Sequence, residues 1–176
     1  MDAKFPGDLG YVLGETRNEL GGGEYYQLLG AVGLNVPRLD MERVWPAYPA
    51  LHRAIREELV ASCHAVSGGG LAVHSALVAM AGEVGIEIQL ERAPAAPRLT
   101  VGQRLYSESC GRFIVTVSPR SKARFEALFS GLPMACVGRV TDPPGFRVTD
   151  AGGKTIIRED IAELKKIWNM PFGGLV

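Results

Sequence analysis

Charge of one net sign is missing from this chain: Lys+Arg and Asp+Glu each number 19 in 176 residues. No overall field therefore draws it to nucleic acid or to an anionic membrane surface, and neither is expected as a partner. Cysteine is scarce too. Cys63, Cys110 and Cys136 form no CxxC pair and leave an odd count, which argues against a disulfide framework or a zinc site and for a reducing compartment. Apolar runs stay short of the ~18 residues that a membrane span needs. The opening "MDAKFPGDLGYVLG" lacks the basic and then apolar regions of a secretory signal. These absences predict a cytoplasmic protein.

Glycine is the residue in excess, 22 of 176 against a usual share of about 7%. Each glycine costs backbone entropy on folding, so clusters mark sharp turns or close approach to a ligand. Two triples stand out, in "ETRNELGGGEYY" (15–26) and in "CHAVSGGGL" (63–71).

Periodicity supplies the elements. Residues 8–14 read as a strand with Leu9, Tyr11 and Leu13 on one side. A chain that opens within a strand looks cut from something longer. "ALHRAIREELV" (50–60) places Leu51, Ile55 and Leu59 on one helical face. A short strand at "ASCHAV" precedes a nearly all-apolar stretch at 71–81, predicted as a buried helix. "IEIQLE" (86–91) and "RFIVTV" (112–117) read as strands, and 93–103 as loop. Ser118 and Pro119 predict an N-cap and first helical residue. Three short strands follow, then a helix over 158–168 with Ile161, Leu164 and Trp168 inward. Mixed strands and helices of this order predict one α+β or α/β layered domain.

Three stretches carry candidate chemistry. A serine and three glycines between a strand and a helix (Ser67, Gly68, Gly69, Gly70) can expose free backbone N–H groups beside a positive helix end, a cradle for phosphate. The same residues serve equally as a tight packing turn, and neither GKS/GKT nor GxGxxG is present. His64 is either a donor to that anion or a hydrogen-bonded core histidine, and His74 reads as structural. In "RLYSESCGR" (104–112), Glu108 could hold a hydroxyl or metal and Arg112 a phosphate; a solvated turn with an Arg–Glu pair is the alternative. Cys110 lacks the surroundings of a nucleophile elbow. Glu15, Glu19 and Glu24 beside glycines are weak candidates for magnesium.

Taken together, "PGDLGYVLGETRNELGGGEYY", "SCHAVSGGGLAVHSALVAMA" and "LYSESCGRFIVTV", followed by "VGRVTD" and "LKKIW", resemble the second half of the phosphoribosylformylglycinamidine synthases. These are also called formylglycinamide ribonucleotide amidotransferases, of the aminoimidazole ribonucleotide synthetase superfamily. The resemblance implies a single mixed sheet covered by helices, with residues 1–14 the last strand of a preceding ATP-handling domain and 15–176 the C-terminal domain. It implies a purine-pathway ligase using ATP and Mg2+, with the missing N-terminal domains, a glutaminase subunit and a small accessory subunit as partners; a homodimer is compatible with it. The segment before Glu15 is then expected to pack poorly or to pair with a neighbouring molecule. Catalytic groups are expected elsewhere, so the isolated chain should be inactive, with binding residues at His64, Ser67, Gly68, Gly69, Gly70, Glu108 and Arg112. This chain departs from the family pattern where His-Asp-x-Ser, an acid and two glycines are usual: Ala65 and Gly68 stand at the acidic positions. Gly23 likewise replaces the serine of the family's Glu-Leu-Gly-Gly-Ser. The resemblance favours a backbone cradle at residues 67–70. A non-catalytic scaffold half of the duplicated enzyme, or a stand-alone phosphometabolite-binding module, are the alternatives.

Overall fold

In the computed structural model, which describes residues 1–171, seven strands form one sheet. They are β1 (Leu9–Leu13), β2 (Ser62–Val66), β3 (Gly85–Gln89), β4 (Arg112–Val117), β5 (Met134–Thr141), β6 (Gly145–Thr149) and β7 (Thr155–Asp160). Their order across the sheet is β2-β4-β1-β5-β3-β6-β7. Neighbours run antiparallel except β3 and β6, which are parallel.

The first strand is the structural surprise. β1 lies inside the sheet, hydrogen-bonded to β4 on one side and β5 on the other. Tyr11, Val12 and Leu13 are all 0–1% exposed. The expectation that residues before Glu15 pack poorly or pair with a neighbour is therefore corrected. Tyr11 and Leu13 enter one apolar layer and Val12 the other, so the strand gains burial on both faces. Without it, β4 and β5 would have no common partner.

One layer is built on α4 (Gly70–Gly82), with α5 (Val101–Tyr106) and α7 (Ile161–Asn169) beside it. Leu71, Val78 and Leu105 meet Val12, Ile88, Ile114 and Val148 there. The nearly all-apolar sequence of α4 follows from its packing on the sheet with α5 and α7 against its flanks. The opposite layer packs α3 (Ala47–Arg56) and α6 (Lys122–Leu128) on β1 and β4 through Leu51, Ala54, Phe125, Phe129, Val115 and Val117. The Tyr11 hydroxyl donates to Glu126 Oε1 at 2.9 Å, and its ring centroid lies 4.9 Å from that of Phe125. No residue of β3, β6 or β7 joins this second layer among those described. Two short helices, α1 (Glu24–Leu28) and α2 (Met41–Val44), complete the set.

Several expected boundaries shift for local reasons. α3 begins at Ala47, because a proline at Pro49 in a first turn has no hydrogen bond to lose. The buried stripe of α3 runs through Ala47, Leu51 and Ala54, which leaves Ile55 47% exposed; the helix stops at Arg56, and Leu59, beyond the left-handed Glu58, is buried. α5 lies where loop was expected; Thr100 and Gln103 form a capping box that starts it. Ser118 does not cap with its side chain, and Pro119–Ser121 is a 3-10 turn before α6. Residues 158–160 belong to β7, and Asp160 caps α7 by accepting from Ala162 and Glu163. Ile161 is buried there, but Trp168 is half exposed.

Where β5 passes β3, Gly138 is required: a Cβ on it would run into the Glu87 carbonyl. Gly10, its partner on β1, has its nearest neighbour at 3.5 Å from such a Cβ. Gly138→Ala should therefore lower stability by about 1–3 kcal/mol, the scale of overpacking, while Gly10→Ala should be nearly neutral. Urea midpoints at unchanged m-value measure both.

Candidate functional site

The two glycine triples meet. β2 ends at Val66, and residues 67–69 turn the chain into α4. Gly69 and Gly70 both have positive φ, +84° and +71°, a pair of left-handed conformations that side chains resist. Gly70 also abuts the end of α5, where a Cβ would lie 2.7 Å from the Leu105 carbonyl oxygen. On the other triple, a Cβ at Gly23 would lie 2.8 Å from the Glu108 carboxyl, and one at Gly21 would lie 2.7 Å from the Asn35 backbone.

Between the triples sits Glu108. Its Oε1 accepts from the Gly69 N–H and from the Glu24 N–H, each at 2.8 Å. One carboxylate thus satisfies the cap residue of α4 and the first residue of α1, at the positive ends of both. Flanking bonds hold residues 107–109 against 17–24. The Glu108 N–H donates to the Glu19 carbonyl at 3.0 Å, and the Ser109 hydroxyl accepts from the Arg17 N–H at 2.9 Å. Tyr25 on α1 stacks on Tyr106 of α5, with centroids 4.6 Å apart.

This arrangement revises the cradle. Of the N–H groups expected to hold an external anion, that of Gly69 goes to Glu108 and that of Gly70 to the Ser67 carbonyl at 3.0 Å. Ser67 and Gly68 remain exposed at the mouth. Gly68 faces Glu24, whose Cγ lies 3.7 Å from the position of a Cβ there.

Arg112 is not at the surface. It is 1% exposed, donating from Nε to the Ser109 carbonyl at 3.0 Å, from Nη1 to Thr16 Oγ1 at 2.9 Å and from Nη2 to the Ser107 carbonyl. Burial pulls its pKa down to about 10, so it stays protonated at neutral pH. The expected phosphate ligand is instead the buried post on which the Glu108 loop is tied. The weak metal candidates are likewise committed to other partners. Glu15 pairs with Arg17 at 3.3 Å and Arg43 at 3.5 Å, and buried Glu19 accepts from the Arg38 N–H at 3.1 Å. Among the described residues, no three His, Cys, Asp or Glu side chains converge as a metal would need.

His74 is the residue that sequence reasoning undervalued. Its Nδ1 lies 2.7 Å from His64 Nε2, and its Nε2 lies 3.1 Å from both the Gly68 carbonyl and Ser67 Oγ. The carbonyl can only accept, so His74 Nε2 carries the proton, its Nδ1 accepts, and His64 Nε2 donates. Ser67 Oγ then accepts from His74 and keeps its own hydroxyl proton for a ligand. The available signal was a histidine in the second turn of the apolar helix that the Ser-Gly-Gly-Gly turn opens, close enough to fold back on that turn. An exposed hydroxyl donor, a Gly68 N–H with no acceptor among the described residues and two nearby carboxylates suit a ligand bearing hydroxyl groups better than a bare anion.

With fold and site in place, the comparisons assign the class. The family described as AIR synthase related protein, C-terminal domain, matches residues 6–151, and the chain belongs to it. Among curated relatives, the phosphoribosylformylglycinamidine synthase subunit PurL of Thermococcus sibiricus is 34% identical over 169 residues, 96% of this chain and 23% of that protein. PurL of Carboxydothermus hydrogenoformans is 33% identical over 172 residues, covering 96% and 22%. This chain thus spans under a quarter of the length of these relatives. The solved structure of T. maritima PurL complexed with FGAR superposes with a TM-score of 0.80 at 22% identity, over 93% of this chain and 28% of that one. A chain of the HypE–HypF complex gives 0.67 at 19% identity, over 90% and 54%. These structural likenesses support the α+β fold, a single mixed sheet with helices.

Glu108→Ala should cost about 1.5–3 kcal/mol, the scale of hydrogen bonds to a charged group, with Glu108→Gln, which keeps an acceptor, losing less; chemical denaturation compares them. A second expectation concerns pH. Burial holds both His64 and His74 below the usual 6.5, with the charge of His74 adding to the effect on His64. The unfolded chain then binds protons first, so stability is full above about pH 6.5 and falls as pH drops toward the lowered folded values. Urea midpoints between pH 7.5 and 5 should show this decline, and His64→Gln should flatten it.

Proposed function

We propose that this chain is the C-terminal domain of an ATP-dependent phosphoribosylformylglycinamidine synthase of purine biosynthesis, contributing a ribonucleotide-binding surface and inactive alone. The observation that carries the reading is the Glu108 bridge, which presents Ser67 and Gly68 on one surface beside Glu24. The Ser67 hydroxyl and Gly68 N–H would donate to ribose hydroxyl oxygens, and Glu24 would accept from a hydroxyl. ATP and Mg2+ would be held chiefly by domains outside this chain, in the cytoplasm. The T. maritima PurL structures with FGAR, ATP and ADP, and the PurLQS assembly, are consistent with this.

A second feature supports a covering domain. Leu28, Val32, Leu34, Leu39 and Trp45, all in one stretch of chain, are each more than half exposed, and apolar exposure concentrated in this way suits an interaction surface. We assign it to the rest of the synthase, with the glutaminase and small accessory subunits as further partners of the assembly. A non-catalytic scaffold half of the duplicated enzyme, with the Gly69 and Gly70 N–H groups already taken by Glu108 and the Ser67 carbonyl, is the competing reading.

Ammonia-dependent phosphate release from ATP, with FGAR and this chain alone, should equal the blank; a rate rising with protein concentration overturns the inactive-domain reading. Calorimetric titration with FGAR should show weak binding that Ser67→Ala reduces about tenfold, as loss of one good hydrogen bond implies. Binding of neither FGAR nor ATP would establish the scaffold instead.

A further inference from the structure

On the sheet face opposite α4, the strands β5, β3 and β6 carry a row of charges in direct register. Arg139 pairs with Glu87, and Glu87 with Arg147. Directly paired residues share a face, and Glu87 points away from Ile86 and Ile88, which enter the α4 layer. α3 and α6 do not cover this half of the sheet. A cavity of about 440 Å³ opens here, lined by the row together with Arg92 and Lys122, over a floor that includes Gly138.

We propose that this cavity is a binding site for a small phosphate-bearing polyanion, separate from the glycine-turn site and independent of the function proposed above. Four cations face one carboxylate in a chain whose overall charge is balanced. Glu87 is the internal competitor. Its Oε1 accepts from Arg147 Nη2 at 2.7 Å and Nε at 3.2 Å, and its Oε2 lies 3.5 Å from Arg139 Nη2. Held this way, the two guanidiniums are kept on opposite sides of one position, about two strand spacings or 10 Å apart at the backbone. A diphosphate or triphosphate chain can span them, and planar guanidinium forks match phosphate oxygens. Arg92 from the turn after β3 and Lys122 at the start of α6 close the site from the side. The volume falls within the range of small-ligand pockets. Arg139 and Arg147 remain 66% and 45% exposed, so the guanidiniums are reachable.

The test is a titration of the 176-residue protein with inorganic pyrophosphate at low ionic strength, followed by backbone amide shifts. Saturable shifts should appear in residues 87–89, 136–139 and 147–149 and not in residues 67–71. The double variant Arg139→Ala with Arg147→Ala should weaken binding at least about tenfold, and Lys122→Ala, on a different element, about threefold, serving if the double variant does not fold. Glu87→Gln should tighten binding about threefold or more by releasing both arginines. Added salt should weaken it, as expected of partly exposed charges. No saturable shift in these strands, or equal weakening by Arg56→Ala on the far end of α3, overturns the proposal. Citrate binding as tightly as pyrophosphate overturns the phosphate assignment.

Discussion

A single carboxylate oxygen, Glu108 Oε1, fixes how the two glycine-rich segments meet. It accepts from Gly69 and Glu24 at once, so α1 and α4 start from one shared anion. Neither helix start has a side-chain cap of its own, and the bridge supplies what Ser, Thr or Asp would otherwise give. The loop that carries Glu108 is in turn anchored by buried Arg112, whose three hydrogen bonds end on Ser107, Ser109 and Thr16. A charge deep in the molecule thus positions a charge near its surface. Removing Arg112 would leave two buried carbonyls and a hydroxyl without partners, the costly side of hydrogen bonding.

Much of the fold was legible in the sequence, because it rests on periodicity. β1, β4 and α4 lie close to their expected ranges, since their apolar patterns fit a strand buried on both faces or a helix buried nearly all round. The misread pieces are those that tertiary contacts decide. α5 is only six residues long and is started by a capping box whose Thr100 follows a loop-like, proline-rich stretch. Residues 158–160 carry helix-start acids yet lie in β7, because pairing with β6 takes them first. The central place of β1 could not be read either: strand order is a matter of long-range pairing, and local pattern is silent on it.

The site was legible in its residues and not in its bonds. Ser67 to Gly70, His64, Glu108 and Arg112 do gather in one region, but with exchanged roles. The arginine expected to meet a ligand is the interior support, and the glutamate expected to meet one is largely engaged by the backbone. Chemistry favours that exchange. Burial of Arg112 is tolerated because every donor nitrogen finds an oxygen, whereas the Gly69 N–H needs an anion whether or not a ligand is present.

That last point bears on how glycine-rich helix starts are to be read at all. Such a turn offers N–H groups that require an acceptor, and the local sequence cannot say whether a ligand or the chain itself provides it. Here the acceptor comes from Glu108, 39 residues beyond Gly69. An external phosphate at the same N–H would have to displace a carboxylate already placed by Arg112 and by the Glu19 carbonyl, and would meet Glu24 at the mouth. A neutral hydroxyl-bearing group meets no such repulsion and can use the donors that the bridge leaves free, the Ser67 hydroxyl and the Gly68 N–H. Glycine at position 68 fits the same logic. With Glu24 and Glu108 both present, a third carboxylate there would repel the other two, and glycine leaves the backbone open to approach.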